Sequence, residues 1–386
     1  MIGISKLYCG NAEASDSLRY HHGARNALAR KPVVVWSATS ECNLSCSHCY
    51  SSSGAGRAED ELSTDEAKGL VDQLSSFGCP VLLLSGGEPL MRRDLPEIAV
   101  YATSKKLHAV VSSNGTLIDK AMSGRLAEAR LSYVGVSIDG LEATHDSFRR
   151  RKGAFNDALR GVRNCLDAGL KAGLRCTISK GNISELPQLF ELIEQERIPR
   201  ACFYHLVNSG RGEDLRKELP SREESRFALD QIIDGAARLH RNGFKAEILT
   251  VDNLSDGPYL LMRLIKEGRQ EDAEKALSLL KLASGGGSGV GIGCVGWDGE
   301  VYPDQFWRNK PLGNIRSRSF GEIWSDTSSQ LMAMLKEKTK HVKGRCASCR
   351  FLELCGGGFR ARAEALTGDP WASDPACLLT DEEIAP

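Results

Sequence analysis

Residues 32–50, PVVVWSATSECNLSCSHCY, join a short apolar run to three closely spaced cysteines. The run at 32–38 is rich in β-branched residues and predicts a buried strand. Cys42, Cys46 and Cys49 follow in the spacing C-x3-C-x2-C, with a tyrosine directly after the last. A structural zinc site or an ordinary four-iron cluster takes four protein ligands. Three cysteines on one loop therefore leave one ligand position open for a bound molecule.

The composition is that of an ordinary globular protein. The 386 residues are 41% hydrophobic, and 50 Lys and Arg residues balance 50 Asp and Glu residues. A net charge of zero excludes a global basic field for nucleic acid, and no apolar run is long enough to cross a bilayer. The N-terminal segment lacks the pattern of a signal peptide. We therefore expect a cytoplasmic protein without nucleic-acid or membrane partners.

Thirteen cysteines are many for a cytoplasmic chain, in which disulfides rarely persist. Besides the first trio, only one further group clusters, and it consists of Cys346, Cys349, Cys355 and Cys377. Clustered cysteines in this compartment indicate metal or redox chemistry. The scattered cysteines are typical of small core side chains. They are Cys9, Cys79, Cys165, Cys176, Cys202 and Cys294.

Short apolar runs alternate with amphipathic segments from residue 32 onward. The runs predict six strands, at 32–38, 80–86, 108–113, 131–139, 171–179 and 200–207. The segments between them predict helices at 63–78, near 94–105, 119–129 and 155–168, and at 185–196. Six such repeats predict an α/β fold with a parallel sheet curved into a partial (β/α)6 barrel. Functional residues in such folds lie on the loops after the carboxyl ends of the strands.

The remaining sequence predicts three further segments around the barrel at 31–210. Residues 1–30 form an N-terminal extension, 211–285 a charged helical connector, and 286–386 a separate cysteine-bearing domain. The glycine-serine run at 283–291 is either a flexible linker or a loop beside a ligand.

A C-x3-C-x2-C loop followed by an aromatic residue, after the first strand of a β/α barrel, resembles the radical S-adenosylmethionine (SAM) superfamily. The resemblance implies that Cys42, Cys46 and Cys49 hold a [4Fe–4S] cluster whose open iron binds SAM. One electron from that cluster then cleaves SAM to a 5′-deoxyadenosyl radical. The segment LSGGEP at 84–89 ends the second predicted strand, where the superfamily carries its GGE motif.

The resemblance also assigns SAM contacts to the loops that follow. Glycines let the backbone approach a ligand, and a glutamate can accept hydrogen bonds from the SAM ammonium group. The adenine is expected at the backbone of the residue after the third cysteine, and the ribose and carboxylate at the fourth and fifth strands. The implied SAM-binding residues are Tyr50, Gly86, Gly87, Glu88, Ser113, Asn114, Ser137, Asp139 and Arg175.

The second cysteine group resembles the auxiliary-cluster half of the SPASM/twitch extension of radical SAM enzymes. The full extension holds two auxiliary clusters, but Asp304 and Phe359 stand where it commonly has cysteines. We therefore expect one auxiliary [4Fe–4S] cluster with an electron-transfer role, and no second one. A zinc knuckle is the competing interpretation, because C-x2-C also binds zinc. The auxiliary ligands would be Cys346, Cys349, Cys355 and Cys377.

Over nearly its full length the chain is similar to the radical SAM enzymes that act on siroheme-derived tetrapyrroles. Segments such as VGVSIDGLEATHDSFRR and TGDPWASDPACLLTDEEI carry the likeness. The opening segment favours the branch that removes acetate side chains from 12,18-didecarboxysiroheme, giving Fe-coproporphyrin III in the alternative haem pathway. Three alternatives stay open. They are the haem d1 branch, which removes propionates from the same precursor, a peptide-modifying maturase, and a non-enzymatic ferredoxin-like or zinc-binding scaffold.

A tetrapyrrole with several carboxylates favours arginines, and its iron can take an axial histidine. The candidate substrate arginines are Arg149, Arg150, Arg151, Arg211 and Arg308. The candidate iron ligands are His21, His22 and His205. His48 lies between two cluster cysteines, and we expect it to tune or shield that cluster. The resemblance further implies a one-electron donor such as ferredoxin or flavodoxin.

Overall fold

The computed structural model describes residues 1–20, 30–283 and 287–385. In this part of the chain, eleven strands form one sheet. The strands are β1 (Ile2–Gly3), β2 (Val33–Ser37), β3 (Val81–Ser85), β4 (His108–Ser113), β5 (Tyr133–Ser137), β6 (Ala172–Ile178), β7 (Arg200–His205), β8 (Glu247–Val251), β9 (Ile292–Val295), β10 (Glu300–Tyr302) and β11 (Gly313–Asn314).

Helices cover the sheet and build most of the C-terminal region. The α-helices are α1 (Ile4–Cys9), α2 (Asp16–Arg19), α3 (Thr64–Phe77), α4 (Leu95–Ser104), α5 (Lys120–Glu128), α6 (Glu142–Arg149), α7 (Ala154–Asp167), α8 (Leu186–Gln195), α9 (Arg222–Arg241), α10 (Asp256–Lys266), α11 (Gln270–Ala283), α12 (Phe320–Ser325), α13 (Gln330–Lys336), α14 (Leu352–Cys355), α15 (Arg360–Thr367) and α16 (Asp381–Ile384). Short 3-10 helices lie at Pro89–Met91, Ile183–Glu185, Gly210–Glu218, Lys338–Lys340 and Gly344–Cys346.

The six predicted strands are confirmed as β2 to β7, which pair in parallel and in chain order. Helices connect them, as parallel strands require. The strands read as continuous apolar runs because both faces are covered; in β2, Val34 and Trp36 are fully buried. A capping box forms between Ser63 and Glu66 at the start of α3, and Gly78 ends that helix in the left-handed conformation.

The connector at 211–285 is not wholly helical, which corrects the prediction from sequence. β8 lies within it and pairs in parallel with β7, so the sheet has one more barrel strand than predicted. The short β1 of the N-terminal extension pairs antiparallel with β8. β8 has only five residues and follows a charged helix, so its local sequence gives a weak strand signal. Pairing with β7 stabilises it. Helix α6 was also not predicted.

The C-terminal region joins the opposite edge of the sheet. β9 pairs in parallel with β2, and β10 and β11 extend it as antiparallel strands. The sheet order is therefore β1-β8-β7-β6-β5-β4-β3-β2-β9-β10-β11. This pairing places the start of the C-terminal domain beside the cysteine loop that follows β2. Among the described residues, no helix has the length and apolar character that a membrane span requires.

Candidate active site

A cavity of about 1060 Å³, its open mouth included, lies at the carboxyl ends of β2 to β8. Each of these strands or its following loop contributes to the wall, together with part of the C-terminal domain. The lining residues are Val35, Cys42, Cys46, His48, Cys49, Tyr50, Ser51, Leu83, Ser85, Gly86, Gly87, Ser112, Ser113, Asn114, Ser137, Arg149, Arg175, Thr177, Tyr204, His205, Leu206, Val207, Asp252, Gln305 and Phe306.

The three cysteines of the first group all line this cavity, as the loop after β2 predicts. The amide of Leu44 donates to Cys42 Sγ at 3.4 Å, and Cys49 Sγ lies 3.4 Å from the Ser51 hydroxyl. Burial raises the pKa of the Cys42 thiol to about 12, and a metal that bound this sulfur would displace its proton. Three sulfurs on one loop, facing open space, suit a cluster with one free ligand position.

Arg211 holds the cysteine loop through its main chain. Its Nε donates to the carbonyl of Cys46 at 2.8 Å, and its Nη1 donates to the carbonyl of Ser53 at 2.7 Å. Arg211 is not among the cavity-lining residues. Two loop carbonyls occupy Nε and Nη1 of its guanidinium, and its contact with substrate carboxylates stays a prediction.

Arg149 and Asp139 form a buried ion pair beside the cluster loop. Arg149 Nη1 also lies 3.5 Å from Cys46 Sγ, so the guanidinium links a thiol to a carboxylate. Burial opposes ionisation of Asp139, yet Arg149 holds the pKa of this carboxyl below its ordinary value. Asp139 does not line the cavity and accepts the Thr177 amide hydrogen at 2.8 Å. Asp139 thus positions Arg149, which lines the cavity beside the cluster loop, and the ligand contacts of both residues stay predictions.

Two buried histidines surround this ion pair. The ring of His48 stacks on Phe148 with centroids 4.6 Å apart, and its Nε2 lies 3.8 Å from Asp139 Oδ2. His145 accepts the Asp139 amide hydrogen at 3.0 Å through Nδ1. Burial lowers the pKa of both imidazoles to about 4. Both are therefore neutral near pH 7, and the position of His48 in the cavity wall fits the predicted shielding of the cluster.

Glu88 lies behind the cavity wall and joins two loops. Its carboxylate accepts the Ser113 hydroxyl hydrogen at 2.8 Å and the Asn114 amide hydrogen at 2.7 Å. Burial raises the pKa of Glu88 to about 7, although these hydrogen bonds act in the opposite direction. The carboxylate is fully buried and is not among the lining groups. Glu88 thus positions Ser113 and Asn114, which line the cavity, and its contact with SAM stays a prediction.

Gly86 and Gly87 line the cavity, but their close neighbours are the cysteine loop. The amide of Gly87 donates to the carbonyl of Thr39 at 2.8 Å. Gly86 has a φ of 129°, and a side chain on Gly87 would clash with the carbonyl of Glu41. Glycine is therefore required here by the packing of two backbones, in addition to any approach of a ligand.

The wall at β6 to β8 carries polar groups of a different kind. The Arg175 guanidinium lies 4.5 Å from the Tyr204 ring centroid, and it has no carboxylate partner among the described residues. His205 Nε2 lies 2.9 Å from the buried Asp256 carboxylate. Asp252 follows the strand that the sequence did not predict, and its φ of 65° is left-handed. Sequence reasoning missed Tyr204 and Asp252, the latter because β8 itself was missed.

Several predicted substrate residues do not reach the cavity. Arg150 is exposed at the end of α6, and Arg151 pairs with Asp157. The Arg308 guanidinium lies 4.2 Å from the Trp297 ring centroid, outside the lining set. Each of these three side chains faces solvent or a protein partner, and their contacts with substrate stay predictions. The predictions for His21 and His22 fall outside the described residues.

The second cysteine group comes together in the C-terminal domain. Burial raises the pKa of the Cys355 thiol to about 12, and the neighbouring Cys346, Cys349 and Cys377 raise it further. No three metal-ligating side chains among the described residues converge on a single-ion position. The thiols that ligate a four-iron cluster lie farther apart than the ligands of a single metal ion. The absence of a single-ion position in the described part of the chain is therefore compatible with a four-iron cluster. The arrangement fits a group ligated by all four thiols.

Asp304 and Phe359, which stand where the full extension commonly has cysteines, have partners within the protein. Asp304 accepts hydrogen bonds from the Ser288 hydroxyl and the Phe306 amide. The ring of Phe359 packs edge-on against Phe306 at 5.5 Å, and Phe306 packs against Tyr50 at 5.4 Å. The expectation of a single auxiliary cluster stays a prediction.

A partial barrel with a three-cysteine loop at its carboxyl end, together with a four-cysteine domain, describes a class of SAM-cleaving iron–sulfur enzymes. Sequence families agree with this class. The Radical SAM superfamily matches residues 36–193, and an iron-sulfur cluster-binding domain, SPASM, matches residues 292–350. The chain therefore belongs to the radical SAM enzymes with a SPASM domain. The second match includes Cys346 and Cys349 and favours iron–sulfur over the zinc interpretation.

Individual relatives cover nearly the whole chain. Fe-coproporphyrin III synthase of Methanosarcina barkeri is 54% identical over 100% of this chain and 99% of its own length. Pre-heme d1 synthase of Dinoroseobacter shibae is 39% identical over 94% of this chain and 91% of its own. The structure of anSMEcpe with bound AdoMet and a peptide matches with a TM-score of 0.67, at 19% identity, over 90% of this chain and 94% of that one. This last likeness supports the fold alone.

Proposed function

We propose that this enzyme makes Fe-coproporphyrin III by removing acetate side chains from 12,18-didecarboxysiroheme. The observation that carries the proposal is the 54% identity, end to end, to Fe-coproporphyrin III synthase. The lower identity to pre-heme d1 synthase leaves propionate removal as the second candidate. Because both reactions start from the same precursor, the identity of the product decides between them.

We further propose that two [4Fe–4S] clusters bind, one at each cysteine group. Cys42, Cys46 and Cys49 would hold the SAM-binding cluster, which supplies the electron that cleaves SAM. The four thiols around Cys355 would hold the auxiliary cluster. The support is the placement of the first group in a cavity wall and of the second outside it. The chain itself supplies the fixed loop geometry, the buried Arg149 beside Cys46, and exclusion of water.

For SAM, the proposed contacts are the lining residues on the loops after β2 to β5. Tyr50 is fixed by its hydroxyl, which lies 3.1 Å from the Ser85 hydroxyl, so its backbone is ordered for the adenine. Ser113 and Asn114 are held by Glu88, and Ser137 ends β5 in the cavity wall. These residues orient SAM against the cysteine loop.

For the tetrapyrrole, the proposed contacts lie at the β6 to β8 wall. Arg175 is a cation without a carboxylate partner among the described residues, and it is available to a carboxylate of SAM or of the substrate. His205 is oriented by Asp256, the type of second partner that metal-ligating histidines commonly have. This pair makes His205 the candidate ligand to the substrate iron. The planar rings of Tyr204 and Phe306 offer flat surfaces to a macrocycle.

The test is an anaerobic reaction of the reconstituted enzyme with SAM, a strong chemical reductant and 12,18-didecarboxysiroheme. Mass spectrometry reads the product. Loss of two acetate groups, giving Fe-coproporphyrin III, is the expected result. Loss of propionates would assign the enzyme to the haem d1 branch, and SAM cleavage with an unchanged tetrapyrrole would contradict the proposed substrate.

A further inference from the structure

Two exposed cations that the proposed reaction does not use lie beside the cysteine loop. Arg150 caps α6 in the left-handed conformation, with a φ of 53°, and Lys152 follows two residues later. Both side chains are exposed, as is Ser45 in the cysteine loop between Cys42 and Cys46. These two cations are called the basic patch below.

Short contacts join the segment before the patch to the cysteine loop. The amide of Ser47 donates to the carbonyl of Phe148 at 3.0 Å, and the Phe148 ring stacks on His48. Arg149 Nη1 lies 3.5 Å from Cys46 Sγ. Arg149 is buried and Arg150, the next residue, is exposed. Arg149 therefore connects the basic patch at the surface to the Cys46 thiol.

The positive charge of the patch is not cancelled by nearby carboxylates. Asp157 pairs with Arg151 and Arg160. Asp146 accepts the amide hydrogens of Gly153 and Phe155. Within the described part of the chain, neither Arg150 nor Lys152 forms an ion pair, so both remain available to an external anion.

We propose that the basic patch is the docking point for an acidic one-electron carrier protein that reduces the SAM-binding cluster. One electron leaves the carrier and enters the cluster, and no proton or group is transferred. Opposite charges raise the rate of encounter and fix orientation, and electron transfer needs a short path to the acceptor. The inference rests on the one-electron cleavage of SAM, and not on the identity of the tetrapyrrole.

The auxiliary site offers the competing entry point. Arg350 is exposed and directly follows Cys349, so a carrier that reduced the auxiliary cluster first would contact it. Lys266, exposed at the end of α10, is distant in sequence from both cysteine groups and serves as a neutral control. Charge reversal can therefore be tested separately at the basic patch, at the auxiliary site and at a control position.

The test uses reconstituted full-length enzyme, SAM and an acidic flavodoxin in its hydroquinone form as the probe, with tetrapyrrole omitted. Two quantities are measured: the rate of 5′-deoxyadenosine formation and the Kd of flavodoxin binding. The variants are R150E/K152E, R350E and K266E, with the milder R150Q/K152Q in case charge reversal impairs folding. Each is also assayed with dithionite, which needs no docking site. Omitting the tetrapyrrole keeps a failure of the proposed substrate separate from a failure of this proposal.

For R150E/K152E we expect about a tenfold slower flavodoxin-supported rate and a Kd raised about tenfold, with the dithionite rate unchanged. The difference from wild type should shrink at high salt, because screening removes the electrostatic attraction. R150Q/K152Q should show a smaller loss in the same direction. Unchanged flavodoxin rate and Kd in both double variants would overturn the proposal, as would a loss confined to R350E.

Discussion

The two cysteine groups of this enzyme are built in opposite ways. Cys42, Cys46 and Cys49 line a cavity at the carboxyl end of a barrel. Cys346, with its three partners, lies outside that cavity in the C-terminal domain, where Cys349 packs against the core. Three cysteines in a cavity wall suit a cluster that binds a co-substrate at its open iron. Four cysteines outside that cavity suit a fully ligated cluster, which binds no co-substrate. Ligand number and the space beside it distinguish the two roles.

The supports of the two sites differ as well. Arg211 holds the first loop through main-chain carbonyls, with no carboxylate partner among the described residues. The second site is held by a buried ion pair between Arg362 and Asp374 at 2.8 Å, and Asp374 also accepts the Phe359 amide hydrogen. Asp374 lies three residues before Cys377, whose amide donates to its carbonyl. The following substitutions compare the two sites.

The largest contrast is expected between C46A and C355A. C46A removes a ligand of the SAM-binding cluster, and 5′-deoxyadenosine formation should fall to background. C355A should lose about half of the bound iron and keep SAM cleavage, because it alters only the auxiliary site. Iron analysis and chromatography of the nucleoside products measure both effects. Wild-type SAM cleavage in C46A would remove the basis of the comparison.

Arg362→Met should destabilise the protein by about 3–5 kcal/mol, because it leaves the Asp374 carboxylate buried without a partner. Anaerobic denaturant unfolding measures the change. Lys343→Met breaks an exposed pair with Asp369 and is the matched control, with an expected effect within about 0.5 kcal/mol. Equal effects of the two substitutions would show that the buried pair does not support the second site.

Arg211→Met should cost about 1.5–3 kcal/mol of local stability, since it removes two charged hydrogen bonds to the cysteine loop. The expected result is faster loss of iron to a chelator from the SAM-binding cluster alone. Arg216→Met, an exposed arginine on the same 3-10 segment, is the control. Equal rates of iron loss in Arg211→Met and wild type would mean that the cysteine loop holds its shape without this clamp.

The smallest effect concerns pH. The pKa of His145 is lowered by burial from 6.5 to about 4, so on acidification the unfolded chain binds the proton first. His145 should therefore contribute a stability loss of about 1 kcal/mol between pH 7.5 and pH 6, and His48, with the same lowered pKa, should add a similar loss. His145→Asn keeps an acceptor for the Asp139 amide but does not titrate, and its stability should depend less on pH. Identical pH profiles of wild type and His145→Asn would contradict the assignment of a lowered pKa to the buried His145.

Much of the barrel could be predicted from sequence, because its strands are continuous apolar runs and its helices are amphipathic segments between them. The missed β8 depends on pairing with β7, which no local pattern reveals. The cluster cysteines could be predicted because their spacing is a local feature of the sequence. The protein partners of Glu88, Asp139 and Arg211 could not be predicted, because a motif names a residue without giving its hydrogen-bond partners. Phe306 reaches the cavity only through the pairing of β9 with β2.

The central claim is that SAM binds at the cavity cluster and not at the auxiliary one. Electron paramagnetic resonance of the reduced enzyme, recorded with and without SAM, tests it most directly. The account predicts that SAM shifts the signal of one cluster, that the shift persists in C355A, and that it is absent in C46A. A shift that disappears in C355A, or that survives in C46A, would contradict the assignment of the two sites.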